Sequence, residues 1–143
     1  MHRVAGPDLT AAELYAILRL RAEVFVIEQA CAYLDPDGRD LEPGTTHLWL
    51  PDGPACAAYV RVRTEPEGGH RIGRVVTAAA HRGRHLTGRL LDEALSHLAG
   101  PVVLDAQSHL VAVYERHGFV PSGPEFVEDG IPHTPMRLQR PGP

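Results

Sequence analysis

The residues of this chain best suited to chemistry lie in one stretch, Val75-Val-Thr-Ala-Ala-Ala-His-Arg-Gly-Arg-His-Leu-Thr-Gly-Arg-Leu-Leu91. A strand pattern ends, a short basic loop follows, and a helical pattern begins. The first N–H groups of a helix have no partner inside it, and the helix dipole favours negative charge there. Gly83 and Gly88 would let the backbone approach a phosphate. Arg82 and Arg84 add charge and forked donors. The same residues would also serve as a solvated loop with a basic helix cap, and local physics alone does not separate the two. No Gly-Lys-Ser/Thr follows, so the loop is not of the Walker type.

Other constellations fit their chemistries poorly. Asp35-x-Asp-Gly-x-Asp40 suggests a calcium loop. With Gly38 at the glycine position, however, Tyr33 and Gly44 fall where the first and twelfth ligands belong. His81 and His85 are four apart but lack the glutamate of a His-Glu-x-x-His zinc helix. Ser108-His109 lacks a Gly-x-Ser-x-Gly elbow. The expectation is a chain without a metal.

The elements that must position the basic loop can be read from periodicity. Thr10-Ala-Ala-Glu13 is a capping box, and Leu14, Ile17, Leu18, Val24 and Phe25 follow with helical spacing, interrupted by Arg21. Three strand-like segments come next: His47 to Leu50, Ala55 to Thr64, and Arg71 to Thr77. They are joined by turns at Pro51-Asp-Gly-Pro54 and Glu67-Gly-Gly69, which makes an antiparallel meander. Leu86, Leu90, Leu91, Ala94, Leu95 and Leu98 share one helical face. Val102 to Asp105 reads as a strand, and His109 to His117 as a short helix closed by Gly118. Phe119-Val120 starts a strand, Met136 to Gln139 forms the last one, and Pro141 to Pro143 reads as a loose tail. Helices alternating with strands after a meander predict an α/β domain with a mixed sheet.

Composition narrows the function classes. The chain has 143 residues and a net charge of -4, and its basic residues are all arginine. That length suits a single domain spanning residues 1–143. The mild acidity argues against nucleic-acid binding, which calls for a basic face. No apolar run reaches the ~18 residues of a membrane span, and the N-terminus has no apolar signal core. These features predict a cytoplasmic protein with no membrane partner, in which Cys31 and Cys56 are reduced, buried thiols.

Arg82-Gly-x-x-x-x-Gly88 after a strand resembles the coenzyme A pyrophosphate loop of the GNAT superfamily, usually Gln/Arg-x-x-Gly-x-Gly/Ala. His85 and Thr87 stand at its two glycine positions, and Gly88 comes one place late. Ala106 to Phe119 resembles the family's Asn-x-x-Ala-x-x-x-Tyr-x-x-x-Gly-Phe, with Gln107 at the asparagine, Leu110 at the alanine and Tyr114 at the tyrosine. Leu20 to Gln29, Cys31, Tyr33, Asp35 to Asp40, Gly73 to Val76 and Glu128 to His133 extend the resemblance to the ElaA-like branch.

The resemblance implies a single GNAT-like α/β domain: a mixed, mostly antiparallel sheet flanked by helices, with splayed central strands. It implies transfer of an acetyl group from acetyl-coenzyme A to a primary amine, of a small molecule or a peptide, by direct attack. Val75, Val76, Thr77, Arg82, Gly83, Arg84, His85, Leu86, Thr87, Gly88, Gln107, Leu110 and Tyr114 would bind the cofactor. Backbone N–H groups at Val75 to Thr77 would serve the thioester carbonyl and the pantetheine arm. Tyr114 would hydrogen-bond or protonate the thiolate; a tyrosine ordinarily ionises at about pH 10 and a thiol at about pH 8.5. His133 and Glu28 are the candidate general bases, with His109 behind them. The acidic group Asp35, Asp37, Asp40, Glu128 and Asp129 would attract a cationic amine or form a solvated turn face. The alternative is a non-catalytic coenzyme A-binding or regulatory module, kept open by His85 and Thr87. Monomer and homodimer are both compatible.

Overall fold

A computed structural model describes residues 1–140; the expected tail at 141–143 lies outside the described residues. The chain runs β1 (His2–Ala5), α1 (Ala11–Arg21), β2 (Thr45–Asp52), β3 (Ala55–Thr64), β4 (His70–Thr77), α2 (Leu86–Ser96), β5 (Val102–Gln107), α3 (Val111–Glu115), β6 (Val120–Pro121), β7 (Phe126–Glu128) and β8 (Ile131–Leu138). The sheet order is β1-β2-β3-β4-β5-β8-β6, and β7 also pairs with β8. Among the described residues, only β4 and β5 run parallel. Helices pack on both faces of this mixed, mostly antiparallel sheet. Among the described residues, no helix is long and apolar enough to cross a membrane.

The expected capping box opens α1: the Glu13 N–H donates to the Thr10 hydroxyl, and the Thr10 N–H donates to Glu13. The helix then widens into a π-helical stretch over Ala22–Glu28. On one sheet face, Leu90, Leu91, Ala94 and Leu95 of α2 pack against Val60, Ile72, Leu104 and Met136. Each fully buried leucine there contributes about 2 kcal/mol of apolar burial. On the other face, Ile17, Leu20 and Val24 pack against Trp49, Tyr59 and Val76. Both cysteines are free and buried. Burial pushes the Cys56 thiol up to about 11, so it is a packing group and not a nucleophile.

Arg21 does not interrupt the apolar stripe as the pattern suggests; it is fully buried. Its Nε donates to Asp35 Oδ2 and its Nη1 to Asp40 Oδ1, both at 2.7 Å. Arg61 forks onto Asp37 at 2.7 and 2.9 Å and reaches Asp40 at 3.0 Å. Arg74 reaches Asp35 at 2.8 Å, and the Tyr33 hydroxyl donates to the same carboxylate at 2.6 Å. Three guanidinium groups therefore meet three carboxylates. Arginine neutralises the first three members of the proposed acidic group, so they are not a lure for a cation; Asp35 and Asp40 are buried, and Asp37 keeps an exposed turn position. His47 completes the cluster. Its Nε2–H donates to the Asp40 carbonyl (2.8 Å), so Nδ1 accepts from the Tyr59 hydroxyl (2.6 Å). Burial lowers the pKa of His47 and keeps it neutral.

Burial alone would raise Asp37 and Asp40, but the arginine hydrogen bonds and charges outweigh it and hold both carboxyls below the ordinary range. Groups depressed in this way stabilise the fold above the unfolded carboxylate pKa of about 3.9 and lose that contribution as pH falls below it. Acid denaturation should accordingly show stability dropping below about pH 4. Arg21→Met, which strands buried carboxylates, should cost about 3–5 kcal/mol in urea unfolding. A variant within about 1 kcal/mol of the native chain would show that the cluster is structurally dispensable.

Candidate acyl-transfer cleft

The site begins with an incomplete strand pairing. β4 and β5 share only two rungs, His70 with Val102 and Arg71 with Val103. Beyond Arg71 the strands part, and β4 from Ile72 to Thr77 has no ladder partner on that side among the described residues. A bulge on β4 accompanies the split. Between Arg61–Gly73 and Tyr59–Val76, β3 advances two residues while β4 advances three. The extra residue turns at Arg74, whose φ is 53°. Ile72 therefore points into the α2 core and Val76 into the α1 core, although they are an even number of residues apart. An L residue in this conformation is strained. The ion pairs of Arg74 with Asp35 and Asp37 oppose that strain.

The gap opens into a cleft of about 680 Å³. Of the residues expected at the site, Val75, Val76, Thr77, Arg82, Thr87, Gln107, Leu110, Tyr114, His133 and Glu28 line it, as does His109. Gly83, Arg84, His85, Leu86 and Gly88 lie outside its lining, in the loop and first turn of α2. The Leu86 side chain is buried in the α2 core, and a Cβ on Gly88 would meet only His117, at 3.7 Å. Neither side-chain position faces the cleft; only their backbone groups could serve a phosphate.

The start of α2 carries no side-chain cap and no acidic residue in its first turn. The Arg89 N–H donates to the His85 carbonyl at 3.2 Å. The N–H groups of Leu86, Thr87 and Gly88 come before that first helical bond and have no partner among the described residues. Arg84 donates to His81 Nδ1 at 2.6 Å, so His81 Nε2–H donates to Asp52 at 2.9 Å. This chain of bonds fixes Arg84 beside the helix end. Arg82 stands on the cleft side, 2.7 Å from Glu28. His85 occupies the expected glycine position and takes the conformation a glycine would, with φ 55°.

Tyr114 is buried and stands edge-on to Phe119. Among the described residues its hydroxyl has no hydrogen-bond partner. Burial raises its pKa to about 12, so it remains a proton donor at neutral pH. His133 lies on β8 opposite Gln107 of β5. Its Nδ1–H donates to the Ile131 carbonyl at 2.7 Å, and Phe126 stacks on the ring. That bond fixes the tautomer and leaves the Nε2 lone pair free. Glu28, by contrast, is engaged by Arg82. Gln107 donates to Gln29 at 3.2 Å, and the Cys31 thiol donates to the Asp129 carbonyl at 3.4 Å. Both contacts tie the segment after α1 to the far side of the cleft.

The Acetyltransferase (GNAT) domain family matches residues 20–140. The chain belongs to the GNAT acetyltransferase family. A UPF0039 protein of Mycobacterium tuberculosis is 48% identical, over 99% of this chain and 93% of its own. Protein ElaA of Escherichia coli is 38% identical over 90% and 89%, which puts this chain in the ElaA-like branch. The crystal structure of an acyl-CoA N-acyltransferase from Pseudomonas aeruginosa superposes with a TM-score of 0.89, at 42% identity over 96% of this chain and 97% of that one. The splayed GNAT sheet and an acyl-CoA-dependent acyltransferase activity in general follow from this membership.

Several cleft residues carried no role in the sequence pattern. Arg61, Arg63, Arg71 and Gly73 line the cleft from β3 and β4. The β4 bulge, which sets their faces, had no signal beyond Gly73 beside Arg74. Replacing His85 with glycine should leave stability unchanged or raise it by up to ~1 kcal/mol, since relief of the left-handed strain offsets the added chain entropy. Gly83→Ala, at a φ of 83°, should cost about 1–2 kcal/mol. Thermal denaturation reads both, and a large loss in the first variant would mean that the His85 side chain itself holds the loop.

Proposed function

We propose that this chain transfers an acetyl group from acetyl-coenzyme A to a primary amine by direct attack, in the cytoplasm. The observation that carries the reading is the unpaired edge of β4 facing a cleft that contains both a free tyrosine hydroxyl and a histidine of fixed tautomer. Beyond Arg71 the β4 backbone has unused donors and acceptors along the gap. Pantetheine amides would pair with them as an added strand does. At the end of the same strand, the free N–H groups of Leu86 to Gly88, with Arg82 and Arg84, fit a pyrophosphate. The residues thus suit coenzyme A along its length.

Each chemical task then has a group. Backbone N–H groups at Val75 to Thr77 would hold the thioester carbonyl as it gains negative charge. His133 Nε2 would accept the amine proton, directly or through a water. Tyr114 would donate to the departing thiolate. Of the two candidate bases, the geometry favours His133, because Arg82 competes for the carboxylate of Glu28.

Desulfo-coenzyme A should bind in the micromolar range by calorimetry, with ATP binding far more weakly. Arg82→Gln and Arg84→Gln should each weaken the coenzyme by about tenfold, the value of one charge-assisted hydrogen bond. With a turned-over amine, His133→Gln should lower kcat by about 10² or more, and Tyr114→Phe by at least about tenfold, while Glu28→Gln acts mainly on coenzyme A binding. Full turnover by the His133 variant would remove it as the base. Coenzyme A binding without turnover of any amine would favour the non-catalytic module.

A further inference from the structure

The charges inside the cleft are unevenly matched. Arg61 is held by Asp37 and Asp40, and Arg74 by Asp35 and Asp37. Glu65 and Asp105 hold Arg71, and Glu28 holds Arg82. Arg63 also lines the cleft, half-buried, and has no ion pair among the described residues. Burial, Arg39 and Arg61 all work against its charge, and Asp37 and Glu42 offset them only in part. A charged side chain half out of water and facing like charges lacks an anion.

The opposite wall has the complementary sign. Glu128 and Asp129, at the β7–β8 turn, line the same cleft near His133; both are exposed and have no ion pair among the described residues. Between the two walls the floor is open, because a Cβ added at Gly73 would meet nothing within 4 Å. We propose that the acceptor is an amine that also carries a carboxylate, bound with its ammonium toward His133, Glu128 and Asp129 and its carboxylate on Arg63. This rests on the N-acetyltransferase reading of the same cleft.

The spacing narrows the class. Arg63 pairs with Arg71, and Arg71 with Val103; His133 pairs with Gln107. Four residues of β5, or roughly 13 Å of strand, separate those two rungs, and three strand spacings of about 4.8 Å lie between β3 and β8 across them. Arginine and histidine side chains span part of that distance, and the acceptor must span the rest. A carboxylate two bonds from the amine, as in an α-amino acid, is too close. An ω-amino acid or a short peptide with a free C-terminus fits.

Acceptor pairs that differ only in this charge provide the test: 6-aminohexanoate against 6-aminohexanamide, and triglycine against its C-terminal amide. Coenzyme A release from acetyl-coenzyme A gives kcat/KM for each. The native enzyme should prefer the acids by about tenfold or more, Arg63→Gln should erase the preference, and Arg63→Lys should keep most of it. Equal use of acids and amides, or a preference that survives Arg63→Gln, overturns the proposal. If no amine is turned over, the same pairs are titrated calorimetrically into protein loaded with desulfo-coenzyme A. Acid-selective binding that is lost in Arg63→Gln then upholds the carboxylate site while the transferase reading falls. Unselective or absent binding overturns the site as well.

Discussion

The cluster of Arg21, Arg61 and Arg74 with Asp35, Asp37 and Asp40, buried at Arg21, Arg61, Asp35 and Asp40, is the constraint on which the cleft depends. The segment between α1 and β2 has no regular structure of its own beyond the π-helical turn, and its backbone could not hold one shape unaided. The aspartates fasten it to the last turn of α1, to β3 and to β4 at once. A cluster of this kind need not add net stability, because removing four of its charges from water offsets most of their attraction. Its effect is on geometry. It fixes where Tyr33 stands, and with it one wall of the cleft. It also holds Arg74 in a left-handed conformation that a strand would otherwise reject.

From that bulge follows the division of the sheet into two working faces. Before Arg74, the even-numbered residues of β4 face α2; after it, they face α1. The distortion lies where β4 has already parted from β5: a parallel pair begins at His70 and Arg71 and then fails. An unpaired edge inside a sheet is costly unless something completes it. The fold therefore makes its binding slot by withholding hydrogen bonds, and the ligand's own amides can restore them.

Much of this was legible in the sequence where local physics decides. The Thr10–Glu13 capping box, the α2 stripe and the β2–β3 and β3–β4 turns appear at the expected positions, because a cap, a helical period or a turn needs only neighbouring residues. The basic loop before α2 was visible for the same reason, and the left-handed His85 shows that its backbone follows the glycine pattern even without the glycine. What was not legible depends on contacts far apart in the chain. β1 is four residues that become a strand only by pairing with β2. Arg21 reads as a break in an apolar stripe until Asp35 and Asp40 are brought to it. The acidic motif reads as a binding face until three arginines cover it.

The same reasoning separates residues that look alike in the sequence. Arg61, Arg63, Arg71 and Arg74 lie along two neighbouring strands, and by type each is an equal candidate for contact with substrate. Their partners distinguish them. An arginine already forked onto carboxylates has its donors directed and its charge balanced, and recruiting it would strand the acid it leaves. Of these four, Arg63 alone has no such partner among the described residues and can meet a ligand without stranding a buried acid. His133 and Glu28 divide in the same way: the imidazole keeps a free lone pair because its other nitrogen is tied to Ile131, whereas the carboxylate is shared with Arg82. In this cleft, function is read from what the structural interactions leave unsatisfied.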